Sequence, residues 1–127
     1  MTAKKPISIL VADDEPAIRD LLHTWLENDG HHVACARNGH EAAALLDHEL
    51  FDVVIADILM PDGDGLELIA ESKRTHPRVR FVAISGGGRY IQGVECLKVA
   101  TGLGAHAAVL KPFSHPQIAD SIETVLA

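Results

Sequence analysis

Five short apolar runs rich in β-branched residues alternate with five stretches of helical periodicity, and this alternation narrows the possible folds further than any single motif. The runs begin near residues 7, 32, 53, 80 and 107, so each strand-plus-helix unit takes 21 to 27 residues. Strands that alternate with helices build a parallel sheet covered on both faces and joined by right-handed crossovers. The central run, Val53-Val54-Ile55-Ala56, is continuously apolar, as befits a strand buried on both faces. It stops abruptly at Asp57, at the rim of the sheet. Pro61, Gly63 and Gly65 follow with two further acids, Asp62 and Asp64, and helical periodicity resumes at Leu66.

The other units carry their own start and stop signals. Ile7 to Val11 reads as the first strand and ends in Ala12-Asp13-Asp14-Glu15-Pro16. Pro16 suits the first turn of a helix, and the acids before it suit its positive end. Ile18, Leu22, Trp25 and Leu26 recur at helical spacing, and Gly30 is a stop. His32 to Ala36 reads as the second strand, Asn38-Gly39 as a turn, and Gly39 to His48 as a helix with Ala42, Leu45 and Leu46 inward. The third helix, Leu66 to Thr75, is expected to bury Leu66, Ile69 and Ala70. Arg80 to Ile84 is the fourth strand, ending in Ser85 before Gly86-Gly87-Gly88. A fourth helix lies between Gly93 and Ala100, punctuated by Gly102 and Gly104. Ala107 to Leu110 is the fifth strand, followed by Lys111-Pro112-Phe113. Ser114 caps a last helix from about Pro116 to Leu126.

A chain of 127 residues with no linker or low-complexity segment is expected to form one domain, with its core at about residues 7–126 and no output domain. The 18 acids outnumber the 11 scattered bases, giving a net charge of -7, which argues against a nucleic-acid surface. No apolar run reaches the length of a membrane span, so no membrane partner is expected. Cys35 and Cys96 are far apart and form no CxxC; with no signal peptide evident, they fit free thiols in a reducing cytoplasm. The eight histidines are dispersed without zinc-site spacing.

The unusual polar residues fall at strand ends. Asp13 and Asp14 follow the first strand, Asp57 the third, Ser85 the fourth and Lys111 the fifth. In a parallel sheet these ends share one rim, and ligands bind there, near the reversal of strand order. An order of 2-1-3-4-5 would bring Asp13, Asp14 and Asp57 into one cleft. Three neighbouring carboxylates repel one another unless a partner intervenes, and Mg²⁺ is the natural hard cation for such oxygens. Lys111 and Ser85 add a positive charge and a hydroxyl donor, both suited to phosphoryl oxygens. A carboxylate can itself be the nucleophile and form an acyl phosphate.

Taken together, Asp13-Asp14, Asp57, Met60-Pro61 with Asp64-Gly65, Ser85 and Lys111-Pro112 resemble the receiver domain of two-component response regulators. The likeness covers essentially the whole chain. Each motif is weak alone, but five in order at five strand ends are highly specific. The resemblance implies a flavodoxin-like, doubly wound (βα)5 fold of the α/β class with parallel strand order 2-1-3-4-5. It implies phosphoryl transfer to Asp57 from a histidine kinase or phosphotransfer protein. Mg²⁺ would be held by Asp14, Asp57 and the Leu59 carbonyl, with Asp13 holding metal-bound water. Lys111 would pair with Asp57 or its phosphate, Ser85 would move inward to the phosphoryl group, and the Lys111-Pro112 bond would be cis.

Some positions depart from the family's pattern. An aromatic switch residue usually stands three positions before the lysine, and here that position is Ala108. Tyr90 or Arg89, in a Gly86-to-Tyr90 stretch longer than usual, is expected to take over part of the switching role. Leu59 is apolar and poorly suited to aligning water, so self-dephosphorylation would be slow, and no DxD acid pair marks a phosphatase. Asp62 to Gly65 fails as a calcium loop, because Glu67 and Lys73 stand where glycine and a bidentate acid are needed. Ala17 and Leu21, beside the buried stripe of the first helix, suit either a kinase-facing surface or partial burial. Output would be interaction with an unknown downstream protein, or phosphorelay. The alternative is a pseudo-receiver, the same fold used as a phosphorylation-independent binding module.

Overall fold

The computed structural model describes residues 5–60, 65–86 and 92–127, with backbone alone for residues 92–97. Its elements alternate strictly: β1 (Ser8–Ala12), α1 (Pro16–Asn28), β2 (His32–Ala36), α2 (Gly39–His48), β3 (Val53–Asp57), α3 (Gly65–Thr75), β4 (Arg80–Gly86), α4 (Gln92–Leu103), β5 (Ala107–Lys111) and α5 (His115–Leu126). The five strands form one sheet in the order β2-β1-β3-β4-β5, and every pairing is parallel. This is the doubly wound order expected, with the reversal between β1 and β3. All five residues of the central strand β3 are buried.

Successive strand residues point to opposite faces, so the sheet divides the core into two layers. Ile9, Val11, Val53, Ile55, Val82 and Ile84 meet Leu22 and Leu26 of α1 and Ile118, Ile122 and Val125 of α5. On the other face Leu10, Val54 and Phe81 meet Ala42 and Leu46 of α2, Leu68 and Ile69 of α3, and Ala100 of α4. Strand register places Ala36, Ala12, Ala56, Ala83 and Ala108 side by side across all five strands on this second face. Every strand thus contributes a single methyl group just beneath the carboxyl rim.

Local signals set most element ends. Gly30, at φ 95°, terminates α1 in a conformation that other residues rarely adopt. Ser114 caps α5 reciprocally with Gln117. Asn38 is the N-cap of α2 rather than half of a turn, and its side chain accepts the Glu41 N–H. β4 runs on through Ser85 and Gly86, because these residues pair with Leu110 and Lys111. In α3 the inward residues are Gly65, Leu68, Ile69 and Ser72, while Leu66 is half-buried and Ala70 exposed. The helix starts at Gly65 against the sheet, and its three- and four-residue spacing then carries Ser72 inside in place of Ala70. Ala17 and Leu21 are both exposed. Among the described residues no helix is long and apolar enough to cross a membrane. Asp62, Asp64, Arg89 and Tyr90 lie outside the described residues, as does the Cys96 side chain.

Candidate functional site

Asp57 is delivered to the rim by β3, and the chain around it is held tightly. A Cβ on Gly65 would lie 2.1 Å from the Asp57 carbonyl oxygen and 2.6 Å from the Ile58 Cα, so only glycine lets α3 begin this close to the strand end. The Asp57 side chain is itself nearly inaccessible. Its Oδ1 accepts the Leu59 N–H at 2.9 Å, and its Oδ2 lies 3.0 Å from Lys111 Nζ. Asp13, at the end of β1, is fully buried. Its Oδ1 accepts the Glu15 N–H at 2.9 Å, and its carbonyl accepts a bond from Arg19. Its Oδ2 lies 2.9 Å from Lys111 Nζ, an ion contact without hydrogen-bond direction. Asp14 is exposed, yet a carboxylate oxygen from each of Asp13, Asp14 and Asp57 lies within 4.8 Å of the other two.

Lys111, the last residue of β5, is the base that meets the carboxylates of Asp13 and Asp57, and the bond to Pro112 that follows is cis. Its third carboxylate was not foreseen: Glu15 Oε1 lies 2.7 Å from Nζ. Sequence reading assigned the acids before Pro16 to the positive end of α1. Glu15 is indeed the N-cap residue, but its side chain makes no capping bond. The signal was the proline itself. A residue before proline is pushed into the extended region, and Glu15, at φ -89° and ψ 115°, points its carboxylate across to β5.

Burial dominates the electrostatics. It pushes the Asp13 carboxyl up to about 6, against the opposing hydrogen bond from Glu15 and the nearby Lys111, with Asp57 adding repulsion. Burial also raises Asp57, against the Leu59 hydrogen bond and Lys111. For Lys111, burial would lower the ammonium, but its hydrogen bond to Glu15, its close contact with Asp13 and the charge of Asp57 outweigh that and hold it above its usual value. The lysine is therefore charged throughout the physiological range, and its one ammonium faces both buried acids and Glu15. The donor set is oxygen only, which fits a hard divalent cation.

Ser85 and Ala108 lie on the α2–α4 face of the sheet. The Ser85 hydroxyl is fully buried and has no hydrogen-bond partner among the described residues. A buried group in that position costs about 1–3 kcal/mol unless a partner arrives. Ala108 is half-buried in the alanine row and brings no aromatic ring near Ser85.

The structure thus brings Asp13, Asp14, Asp57 and Lys111 to one point and sets Ser85 on the adjoining strand. A family model for the response regulator receiver domain matches residues 9–123. The chain belongs to this family. Among receiver relatives, the uncharacterised transcriptional regulatory protein YesN of Bacillus subtilis is 36% identical over 122 residues, covering 94% of this chain and 32% of YesN. NtrX of Brucella abortus superposes with a TM-score of 0.88 at 33% identity, over 96% of this chain and 27% of NtrX. A CheY-like receiver domain protein of Methanospirillum hungatei superposes with a TM-score of 0.83 at 26% identity, over 94% of this chain and 92% of its own. The chain therefore spans about a third of YesN, 27% of NtrX and nearly all of the Methanospirillum hungatei receiver. It is a receiver domain of the two-component response regulator type.

Proposed function

We propose that this receiver accepts a phosphoryl group on Asp57 from a histidine kinase or phosphotransfer protein, and signals through a protein partner or a phosphorelay. The observation that carries this reading is the Lys111 ammonium 3.0 Å from Asp57 Oδ2, inside a cluster of three convergent carboxylates. In the reaction an Asp57 carboxylate oxygen forms the new O–P bond as the P–N bond of the donor phosphohistidine breaks. The imidazole leaves with the bonding electrons. Asp14, Asp57 and the Leu59 carbonyl would hold Mg²⁺, with Asp13 holding water on it; bound there, the ion neutralises charge on the transferring group. Lys111 binds a phosphoryl oxygen, and Ser85 gives its unpartnered hydroxyl to another. Leu59, half exposed and apolar, offers no group to align water, so the acyl phosphate decays slowly.

This activity belongs in the cytoplasm, with kinases that make phosphohistidine. The complete charged set favours it over a phosphorylation-independent pseudo-receiver. Intact mass after incubation with acetyl phosphate and Mg²⁺ tests the proposal. One phosphoryl adduct is expected in wild type, dependent on Mg²⁺ and missing in Asp57→Ala. If wild type takes up no phosphoryl group from acetyl phosphate or from a cognate kinase while remaining folded, the pseudo-receiver reading replaces this one.

A further inference from the structure

Among the described residues, Glu15 is the one carboxylate of the pocket with no place among the clustered metal-type oxygens of Asp13, Asp14 and Asp57. It makes the shortest of the three Lys111 contacts, at 2.7 Å against 2.9 Å to Asp13 and 3.0 Å to Asp57. Its side chain is also 58% exposed, where the carboxylates of Asp13 and Asp57 are buried. It therefore stands on the solvent-facing side of the lysine. Its backbone N–H holds Asp13 while its side chain holds Lys111, so one residue braces both walls of the pocket. It gives up the capping role that its position offers in order to do so.

An ammonium has three N–H donors, and here three carboxylates surround it. A phosphoryl group on Asp57 needs one of those donors. The buried carboxylates of Asp13 and Asp57 are each fixed by a backbone N–H, whereas Glu15 is tethered on the surface and is the partner most easily displaced. We propose that Glu15 is a positioning residue that latches Lys111 in the unphosphorylated receiver, and that its charge restrains the approach of anionic phosphodonors to Asp57. The inference rests on the phosphoacceptor reading of Asp57. Phosphorylation then exchanges the Glu15–Lys111 pair for a phosphoryl–Lys111 pair, freeing the loop before α1. Because an exposed ion pair adds little to stability, removing it leaves the fold in place.

The test compares wild type, Glu15→Gln and Glu15→Asp with acetyl phosphate and with phosphoramidate, which carries less negative charge, at saturating Mg²⁺ and two salt concentrations. Adducts are followed by intact mass. Glu15→Gln should react roughly threefold to tenfold faster with subsaturating acetyl phosphate, as expected for removal of one partly screened charge. The gain should lie in the half-saturating donor concentration, shrink in high salt, and be smaller with phosphoramidate. Glu15→Asp, which keeps the charge, should stay near wild type. Binding of beryllofluoride with Mg²⁺, read by fluorine NMR, should tighten in Glu15→Gln by a similar factor. Equal or slower reaction and unchanged beryllofluoride binding in Glu15→Gln would overturn the latch, as would equal gains in the Gln and Asp variants. A wild type that binds beryllofluoride but forms no adduct would overturn the phosphoacceptor reading alone, and the binding comparison would then decide the role of Glu15. A wild type that does neither overturns both.

Discussion

The two faces of the sheet are built differently. Toward α1 and α5 the strands present large β-branched residues, Ile9, Val11, Val53, Ile55, Val82 and Ile84, all fully buried. At the rim of the same register stand Asp13, Asp57 and Lys111, whose ammonium contacts both carboxylates. Toward α2–α4 the last layer beneath the rim is the row of alanines, and beside it the Ser85 hydroxyl has no partner among the described residues. One face holds charges at fixed separations; the other leaves a hydroxyl to be satisfied by something that arrives. Charges already engaged at Asp57 and a hydroxyl still to be engaged at Ser85 suit a site that must first be pre-organised and then respond.

The largest expected effect comes from breaking the rigid face. Ile55→Ala should destabilise the fold by about 2–5 kcal/mol, through lost burial and the cavity left between β3 and the α1–α5 layer. Urea unfolding would measure it, and a loss below about 1 kcal/mol would show that this face is no more tightly packed than the other. Filling the alanine row tests the opposite face. Ala56→Val should cost about 1–3 kcal/mol by overpacking. A neutral result would reveal unused space there.

The charged end of the rigid face should respond to pH. The Asp13 carboxyl, raised to about 6 from 3.8 by burial, binds its proton more tightly in the folded state. Its contribution to stability is therefore complete below about pH 4 and is lost as the pH rises through about 6. Asp13→Asn removes this loss and leaves Lys111 paired with Asp57 and Glu15. Without divalent cation the variant should be more stable than wild type by about 1–3 kcal/mol at pH 7, with the difference vanishing below pH 4. Mg²⁺ should stabilise wild type more than the variant. A wild type whose stability rises between pH 4 and 6 relative to the variant would contradict the buried, proton-hungry carboxyl.

The smallest effect belongs to Ser85. Because its hydroxyl has no partner to lose among the described residues, Ser85→Ala should not destabilise the resting fold and should relieve part of the burial cost, about 1 kcal/mol or less, while shortening the lifetime of the phosphorylated form. A loss of several kcal/mol would mean that the hydroxyl already has a role in the resting fold.

Most element boundaries were legible because they rest on local chemistry. Pro16 and Gly30 bracket α1, Ser114 and Gln117 start α5, and the apolar run Val53 to Ala56 leads to Asp57. What escaped involved partners distant in the chain. Ser72 turned inward in place of Ala70 because contact of Gly65 with the β3 terminus sets the rotation of α3. β4 gained Ser85 and Gly86 from pairing with β5. The alanine row is visible only once the parallel register is known.

By itself the sequence determined the alternating α/β plan and the residues that reach the rim, because periodicity, capping and turn chemistry act over a few residues. The tertiary structure alone decided what those residues touch. Glu15 had a local use at the head of α1, and instead its carboxylate bonds Lys111, 96 residues away. That choice depends on how close β1 and β5 bring the two groups and on how much a partly buried ammonium gains from another charge. Neither quantity exists until the sheet has formed.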